Sequence, residues 1–429
     1  MPLFELVSQT WWAAFGIAAK WFWLIAPIVF GVVLWNSWLY YIRIRTLVGF
    51  KWILLEIYLP PEVEKTPLAM EQIYAMIQAS LYKGSWWKRY MEGRVQEWFS
   101  VELVSLEGKL HFYIRLVDQF RNLVESAIYA QYPQAEIYEA EDYTANVPNE
   151  IPNESHNLFG AEFVLDKPDA YPIRFYSEFE FETKDGVANV DPLAGITEAM
   201  SKLKEGEQFW IQVGIKPAND DWKKEGEEIL LKLIGRAVPE KQKSYVLALL
   251  KKELGDYISG ALQAPLGPPQ FEPFQFGPAK SDKPHSLMQF LTPGEQDVVK
   301  AIERKLSKVG FENVIRIIYV ARQEVFSIHT FFSVVSGLRQ FSTQNLNAIK
   351  WNSSTLTAAS QPFKKRKEIF RKKWLLYKYR LRYRPAKMNI LNIEELATLF
   401  HFPGRVVASP TLPRIQAKKG EPPAGLPTL

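Results

Sequence analysis

Residues 364–384 (KKRKEIFRKKWLLYKYRLRYR) gather the chain's densest set of side chains with chemistry to offer, eleven basic residues against one acid, Glu368. Lys378, Arg380, Arg382 and Arg384 alternate with Tyr377, Tyr379, Leu381 and Tyr383. In a strand, that alternation places cations on one face and rings or leucine on the other. Such a face suits phosphate, with cations on a nucleic-acid backbone and rings stacked on bases. Anionic lipid headgroups and a plain solvated face fit the same residues. Nothing in the segment reads base edges. The candidate residues for an anionic partner are Lys364, Lys365, Arg366, Lys367, Arg371, Lys372, Lys373, Lys378, Arg380, Arg382 and Arg384. The net charge of +5 hides this local excess, since a segment at +10 leaves −5 for the rest. From Asn122 to Asp166 there is no Lys or Arg but there are nine acids, among them Glu136, Glu139, Glu141 and Asp142, a stretch fitted to receive a basic surface.

Other chemistry is excluded residue by residue. With no cysteine, disulfides, thiolate metal sites and cysteine nucleophiles are out. The five histidines (His111, His156, His285, His329, His401) lie tens of residues apart with no His-x-x-x-His pair, so no metal site is expected. The only Gly-Lys pair, Gly108-Lys109, is followed by Leu110 and lacks the glycines that let backbone amides cradle phosphate. GxSxG is absent. Paired acids such as Glu141-Asp142 read as solvated surface rather than an acid/base couple. The expectation is a chain that is not an enzyme, with no catalytic, cofactor or metal residues.

The elements that must position the basic segment follow from periodicity. Trp21–Tyr41 has no charged residue over 21 positions, enough for a helix to cross a bilayer core of about 30 Å. Trp and Tyr crowd both ends, and Arg43, Arg45 and Lys51 follow, which predicts a single-pass inner-membrane anchor (1–50) with the body in the cytoplasm. Residues 51–150 read β-α-β-β-α-β: a strand at Trp52–Leu59, a helix at Leu68–Leu81, a hairpin about Glu107-Gly108-Lys109, a helix after Asp118, and a closing strand at Ala135–Tyr138. This is the ferredoxin-like order. Residues 151–260 form a second α+β unit, with strands at Phe159–Leu165, Arg174–Glu182 and Phe209–Ile215 and helices after Asp191-Pro192, at Trp222–Gly235 and at Val238–Leu254. A Pro-rich linker (261–286) leads to a third α+β unit (287–400). That unit opens with the capping box Thr292-Pro293-Gly294-Glu295, continues through a strand at Val314–Ala321 and a helix at Val325–Phe341, and ends on the basic strand. A Pro-rich tail (401–429) closes the chain. The fold class expected is α+β, an N-terminal transmembrane helix followed by a ferredoxin-like domain and related antiparallel α/β sandwich units.

Several stretches (WFSVELVSLEGKLHFYIR, DQFRNLVESAIYAQYPQAEI, DPLAGITEAMSKLKEGEQFWIQVGIKP, LNIEELATLFHFPGRVV and PRIQAKKGEPPAGLP) together resemble the region that precedes the motor in membrane-anchored type IV secretion and conjugative-transfer ATPases of the HerA/FtsK kind. In that family a segment like Arg414–Pro427 leads into a nucleotide-binding domain, whereas this sequence ends at Leu429. The resemblance implies a membrane scaffold or accessory subunit of a DNA- or protein-translocating machine that recruits a separate P-loop ATPase. Its docking tail would carry Arg414, Lys418, Lys419, Pro422 and Pro423. A membrane-associated nucleic-acid-binding module working without a motor is the alternative. The partners implied are the membrane, that ATPase, DNA or anionic lipid, and a second copy of the chain.

Overall fold

The computed structural model describes residues 26–59, 65–183, 186–189, 191–234, 291–385 and 388–403. The linker 261–286, the helix expected at Val238–Leu254 and the docking-tail residues Arg414, Lys418, Lys419, Pro422 and Pro423 lie outside them. Two compact units are present, one of residues 1–220 and 308–429, the other of 221–307.

The elements of the larger unit begin with helix α1 (residues 26–48), strand β1 (Trp52–Tyr58), helices α2 (Leu68–Ile77) and α3 (Trp86–Tyr90), strands β2 (Phe99–Leu106) and β3 (Lys109–Val117), helix α4 (Arg121–Gln131) and strand β4 (Glu136–Glu139). Then come β5 (His156–Leu165), the small hairpin β6 (Glu180–Thr183) and β7 (Gly186–Asn189), α5 (Ala194–Ser201) and β8 (Glu207–Pro217). The smaller unit supplies α6 (Asp221–Leu233) and α7 (Pro293–Ser307). After it follow β9 (Gly310–Arg322), α8 (Ile328–Val335), β10 (Ile349–Trp351), α9 (Lys364–Arg380), β11 (Asn389–Asn392) and α10 (Ile393–Leu399). In the smaller unit Thr292 and Glu295 cap α7 reciprocally, and Gly226 of α6 lies against Leu306, where a Cβ would sit 2.5 Å from its Cδ2.

The main sheet has the order β10-β5-β9-β8-β2-β3-β1-β4, with β11 added at the start of β9. Each half is a β-α-β-β-α-β unit with strands ordered fourth-first-third-second: β1, β2, β3 and β4 in one, β5, β8, β9 and β10 in the other. The halves join where β2 pairs antiparallel with β8, Phe99 opposite Ile215 through Leu106 opposite Gln208. Strands expected in three separate units therefore share one sheet, and the smaller unit interrupts the second half between β8 and β9.

Alternation along the strands gives this sheet two unlike faces. One carries Val101 and Leu103 of β2, Ile211 and Val213 of β8, and Ile315 and Ile317 of β9, and joins the large apolar core with residues from α2, α4, α5, α8 and α10. On the other face the antiparallel registers align a single polar row across adjacent strands: Tyr138, Glu56, Tyr113, Glu102, Gln212, Arg316 and Glu162. Its middle is fully buried and fully paired. Glu102 accepts from Ser100, Tyr143 and Gln212, at 2.7, 2.7 and 3.0 Å, while Gln212 Oε1 accepts from Arg316 Nη1 at 3.1 Å and Arg316 Nε donates to Glu162 at 2.9 Å. The buried guanidinium of Arg382 donates to both oxygens of Glu102, at 2.9 and 3.1 Å, and to Asp142.

The anchor read at Trp21–Tyr41, of which residues 21–25 lie outside the described residues, is overturned. Among the described residues, no helix is long and apolar enough to cross a membrane. In α1, Asn36, Ser37 and a run of Trp and Tyr break the apolar stretch before Arg43 and Arg45. Its second half is spent on protein contacts, although the turns holding Ile28–Leu34 are exposed. Trp38 Nε1 donates to the Tyr90 carbonyl at 3.3 Å, Trp35 stacks on the Tyr90 ring at 6.2 Å, and Thr46 Oγ1 reaches the Glu92 carbonyl. Ile42 is buried against Gly93, whose φ of +70° and lack of a side chain permit the approach, since a Cβ there would lie 2.6 Å from the Ile42 carbonyl carbon. With the anchor go the transmembrane part of the fold class, the inner-membrane location, the single-pass scaffold function and its membrane-associated alternative, and the likeness to membrane-anchored ATPases.

Burial pushes the Glu102 carboxyl up, but the Arg382 guanidinium and the surrounding hydroxyls outweigh it and hold the group below its ordinary value; Asp142 is lowered likewise. A depressed carboxyl stabilises the fold above its unfolded value, about 4, and that contribution is lost as pH falls through the folded value. Urea midpoints should therefore fall between about pH 5 and pH 2, and Glu102→Gln should flatten that fall. At neutral pH, Arg382→Met should cost about 3–5 kcal/mol in urea unfolding, because two carboxylates lose their partner.

Candidate anion-binding face

The segment expected as a basic strand is a helix through Arg380. Lys, Arg, Leu and Tyr sustain helix without a Gly or Pro to stop it, and tertiary contacts rather than alternation decide the outcome. The helix ends in a reciprocal pair of backbone bonds, Tyr383 N to Lys378 O at 2.8 Å and Arg382 N to Tyr379 O at 3.0 Å. Arg382 sits at φ +48°, where glycine is the usual residue. Its ion pairs with Glu102 and Asp142 compensate that strain.

Leu375, Leu376 and Tyr379 bury one side of α9 on the polar face of the sheet, with the Tyr379 ring 5.3 Å from Trp210 and its hydroxyl 2.7 Å from that of Tyr143. Gly160 of β5 makes room for the helix. A Cβ there would lie 2.5 Å from the Ile317 carbonyl oxygen and 3.0 Å from Leu375 Cδ2.

The eleven candidate cations divide sharply. Lys378 donates to both oxygens of Glu162 at 3.3 and 3.4 Å, and Arg380 donates to Asn149 and to the carbonyls of Thr144, Val147 and Pro148. Arg382 is buried as described. Arg384 donates to the Gln96 carbonyl and lies over the Trp98 ring. Arg371 donates to the carbonyls of Leu356 and Ala358, Lys372 to Asn157, and Lys373 to Glu150 in an exposed pair. These seven tie the segment to the rest of the fold, five of them to residues 142–162, so Asp142, Glu150 and Glu162 of the acidic stretch receive the chain's own basic segment. Lys364, Lys365, Arg366 and Lys367 are exposed, and among the described residues no hydrogen bond or ion pair engages their side chains. They occupy the first turn, where the helix dipole adds to their positive potential.

Beside them runs a row of aromatic rings at helical spacing. Phe370, Trp374 and Tyr377 are 66%, 45% and 53% exposed and nearly parallel, with centroids 6.4 and 5.4 Å apart and planes 11° and 17° off parallel. Phe370, Trp374 and Leu375 form the apolar wall of a cavity of about 300 Å³; Lys367, Arg371 and Lys378 supply its basic side, and Ser354 and Thr355 face them. Lys378 Nζ lies 5.8 Å from the Trp374 centroid. The spacing of these rings is legible in the sequence once the segment is taken as helix. Glu102, Gln212 and Arg316, which carry the support beneath, gave no sequence signal because their meeting depends on strand register.

A larger cavity, about 890 Å³, lies between α5 and α8. It mixes the acids Glu198, Glu207 and Glu324 with Lys202 and Lys204, and its buried carboxyl, Glu207, is already committed to the Tyr319 hydroxyl at 2.5 Å and the Lys204 amide at 2.7 Å. Among the described residues, no group of three or more His, Asp or Glu could hold a metal ion.

The sequence pattern of a domain of unknown function, DUF8128, matches residues 93–412, most of the chain. The chain belongs to the DUF8128 family. No curated protein matches it. The DUF8128 region opens at Gly93, just before β2, so β1 and α2 of the first half lie upstream of it, while the polar row from β2 onward, the basic helix and α10 lie within it.

Gly160→Ala should destabilise the DUF8128 region by about 1–3 kcal/mol through overpacking against the Ile317 backbone and Leu375. The check is the urea midpoint, with the exposure of Trp374 to a soluble quencher reporting displacement of α9.

Proposed function

We propose that this DUF8128 protein binds nucleic acid through its phosphate backbone, using the first turn of the basic helix. The observation that carries the reading is the division among the cations. Seven are consumed by internal partners, while four consecutive ones, Lys364, Lys365, Arg366 and Lys367, stand in solvent with no partner among the described residues. A structural helix needs only the seven. Four unneutralised charges on one turn repel one another, and a polyanion relieves that repulsion while releasing its own counterions. The exposed rings alongside suit a partner that has flat faces as well as charge. Arg371 and Lys378 keep donors at the cavity rim although each already has an acceptor.

Fluorescence anisotropy with labelled oligonucleotides tests the reading on the full chain. Replacing Lys364, Lys365, Arg366 and Lys367 by Glu should abolish binding at physiological salt. Replacing all four by Ala should make the slope of log K against log[salt] shallower by about 3. Binding unchanged in the Glu variant removes the proposal. Equal affinity of the wild-type chain for polyglutamate removes it too, because a general polyanion surface would then suffice.

A further inference from the structure

Resting on that reading, we infer that the partner is a single-stranded nucleic acid whose unpaired bases stack on the Phe370–Trp374–Tyr377 row while its phosphates lie on Lys364–Lys367, with the cavity beside Trp374 taking one nucleotide. Four observations converge on this. The rings are held on a rigid helix by the Leu375, Leu376 and Tyr379 contacts beneath, so their outward faces are set before any ligand arrives. They lie nearly parallel, as successive bases of an extended strand require. They are between 45% and 66% exposed, an arrangement of large apolar surface that packing within the fold does not use. Finally, the chain accepts strain to begin the helix here: Phe363, itself 69% exposed, is held at φ +60°, where a residue with a Cβ is disfavoured.

The cavity has the chemistry of a nucleotide site. Trp374 offers a stacking face, Lys367 and Arg371 flank it with positive charge, and Ser354 and Thr355 complete the lining. Its volume, about 300 Å³, is at the small end of ligand pockets and suits one nucleotide rather than a duplex. A duplex keeps its bases stacked on one another, so it can use the cations but not the rings. Stacking of this kind tolerates any base, and so a strong sequence preference is not expected.

The test compares oligothymidylate with a duplex of mixed sequence, by anisotropy on the full chain. Trp374→Ala and Tyr377→Ala should each weaken oligothymidylate binding about 5- to 150-fold, leave duplex binding unchanged, and keep the wild-type urea midpoint. Trp374→Phe, which retains a ring, should restore most of the loss. If both alanine variants bind oligothymidylate like the wild type while the Lys364–Lys367 charge reversal abolishes binding, the stacking inference falls and the backbone-binding reading stands. Equal weakening of single-strand and duplex binding also overturns the inference, since the rings would then serve the helix and not the bases. If the charge reversal changes neither, both fall.

Discussion

The guanidinium of Arg382 lies buried between the carboxylates of Glu102 and Asp142, and three parts of the chain that are far apart in sequence meet at that point. Glu102 belongs to the central strand where the two halves of the sheet join, Asp142 to the segment that leaves the first half, and Arg382 to the turn that ends the basic helix. Removing one charge from such a cluster leaves the others unpaired in a medium that solvates them poorly. The cluster thus acts as a lock on register. A slip of one residue in β2 would turn Glu102 into the apolar core and bring Val101 or Leu103 to the ion pair.

That lock explains why so basic a helix can lie on a sheet. The sheet face beneath α9 is not apolar throughout; it carries the row Glu102, Gln212, Arg316 and Glu162, in which acceptor and donor alternate from strand to strand. Burial lowers the pKa of Arg316, and the neighbouring Glu162 carboxylate opposes that shift. Around the polar centre, Trp210, Tyr379, Leu375 and Leu376 supply the apolar area. Association through area alone would allow the helix to slide. Directional bonds to a fixed row specify one position, and this fixes which side of the helix, with its unpaired cations and exposed rings, meets solvent.

Legibility in the sequence varied with the range of the interaction that decides each feature. The hairpin of β2 and β3 follows from Glu107-Gly108-Lys109, because Gly108 at φ +85° satisfies the turn locally. The start of α7 follows from Thr292 and Glu295 for the same reason. The basic segment was misread as a strand, since Lys378–Arg384 alternates over so few residues that strand and helix periods both fit. Trp21–Tyr41 was misread as a bilayer span because a count of uncharged residues does not register that Trp35, Trp38 and Ile42 are committed to Tyr90 and Gly93. The strand expected over Arg174–Glu182 begins instead as a helical turn at Tyr176–Phe179 and pairs only from Glu180, in the small hairpin.

By itself the sequence determined the composition of the site: eleven cations and their aromatic companions in one segment, an acidic stretch to oppose them, and no cysteine or phosphate loop to support other chemistry. Only the tertiary structure decided which cations remain available. Lys378, Arg380, Arg382 and Arg384 bond carboxylates and carbonyls of the chain itself, whereas the run Lys364–Lys367 is the part left in solvent. The physical reason is that a cation's role depends on whether a carboxylate or carbonyl lies within bonding distance. For Glu102, Asp142 and Glu162 that distance is set by strand register and chain crossing, which no local pattern of residues records.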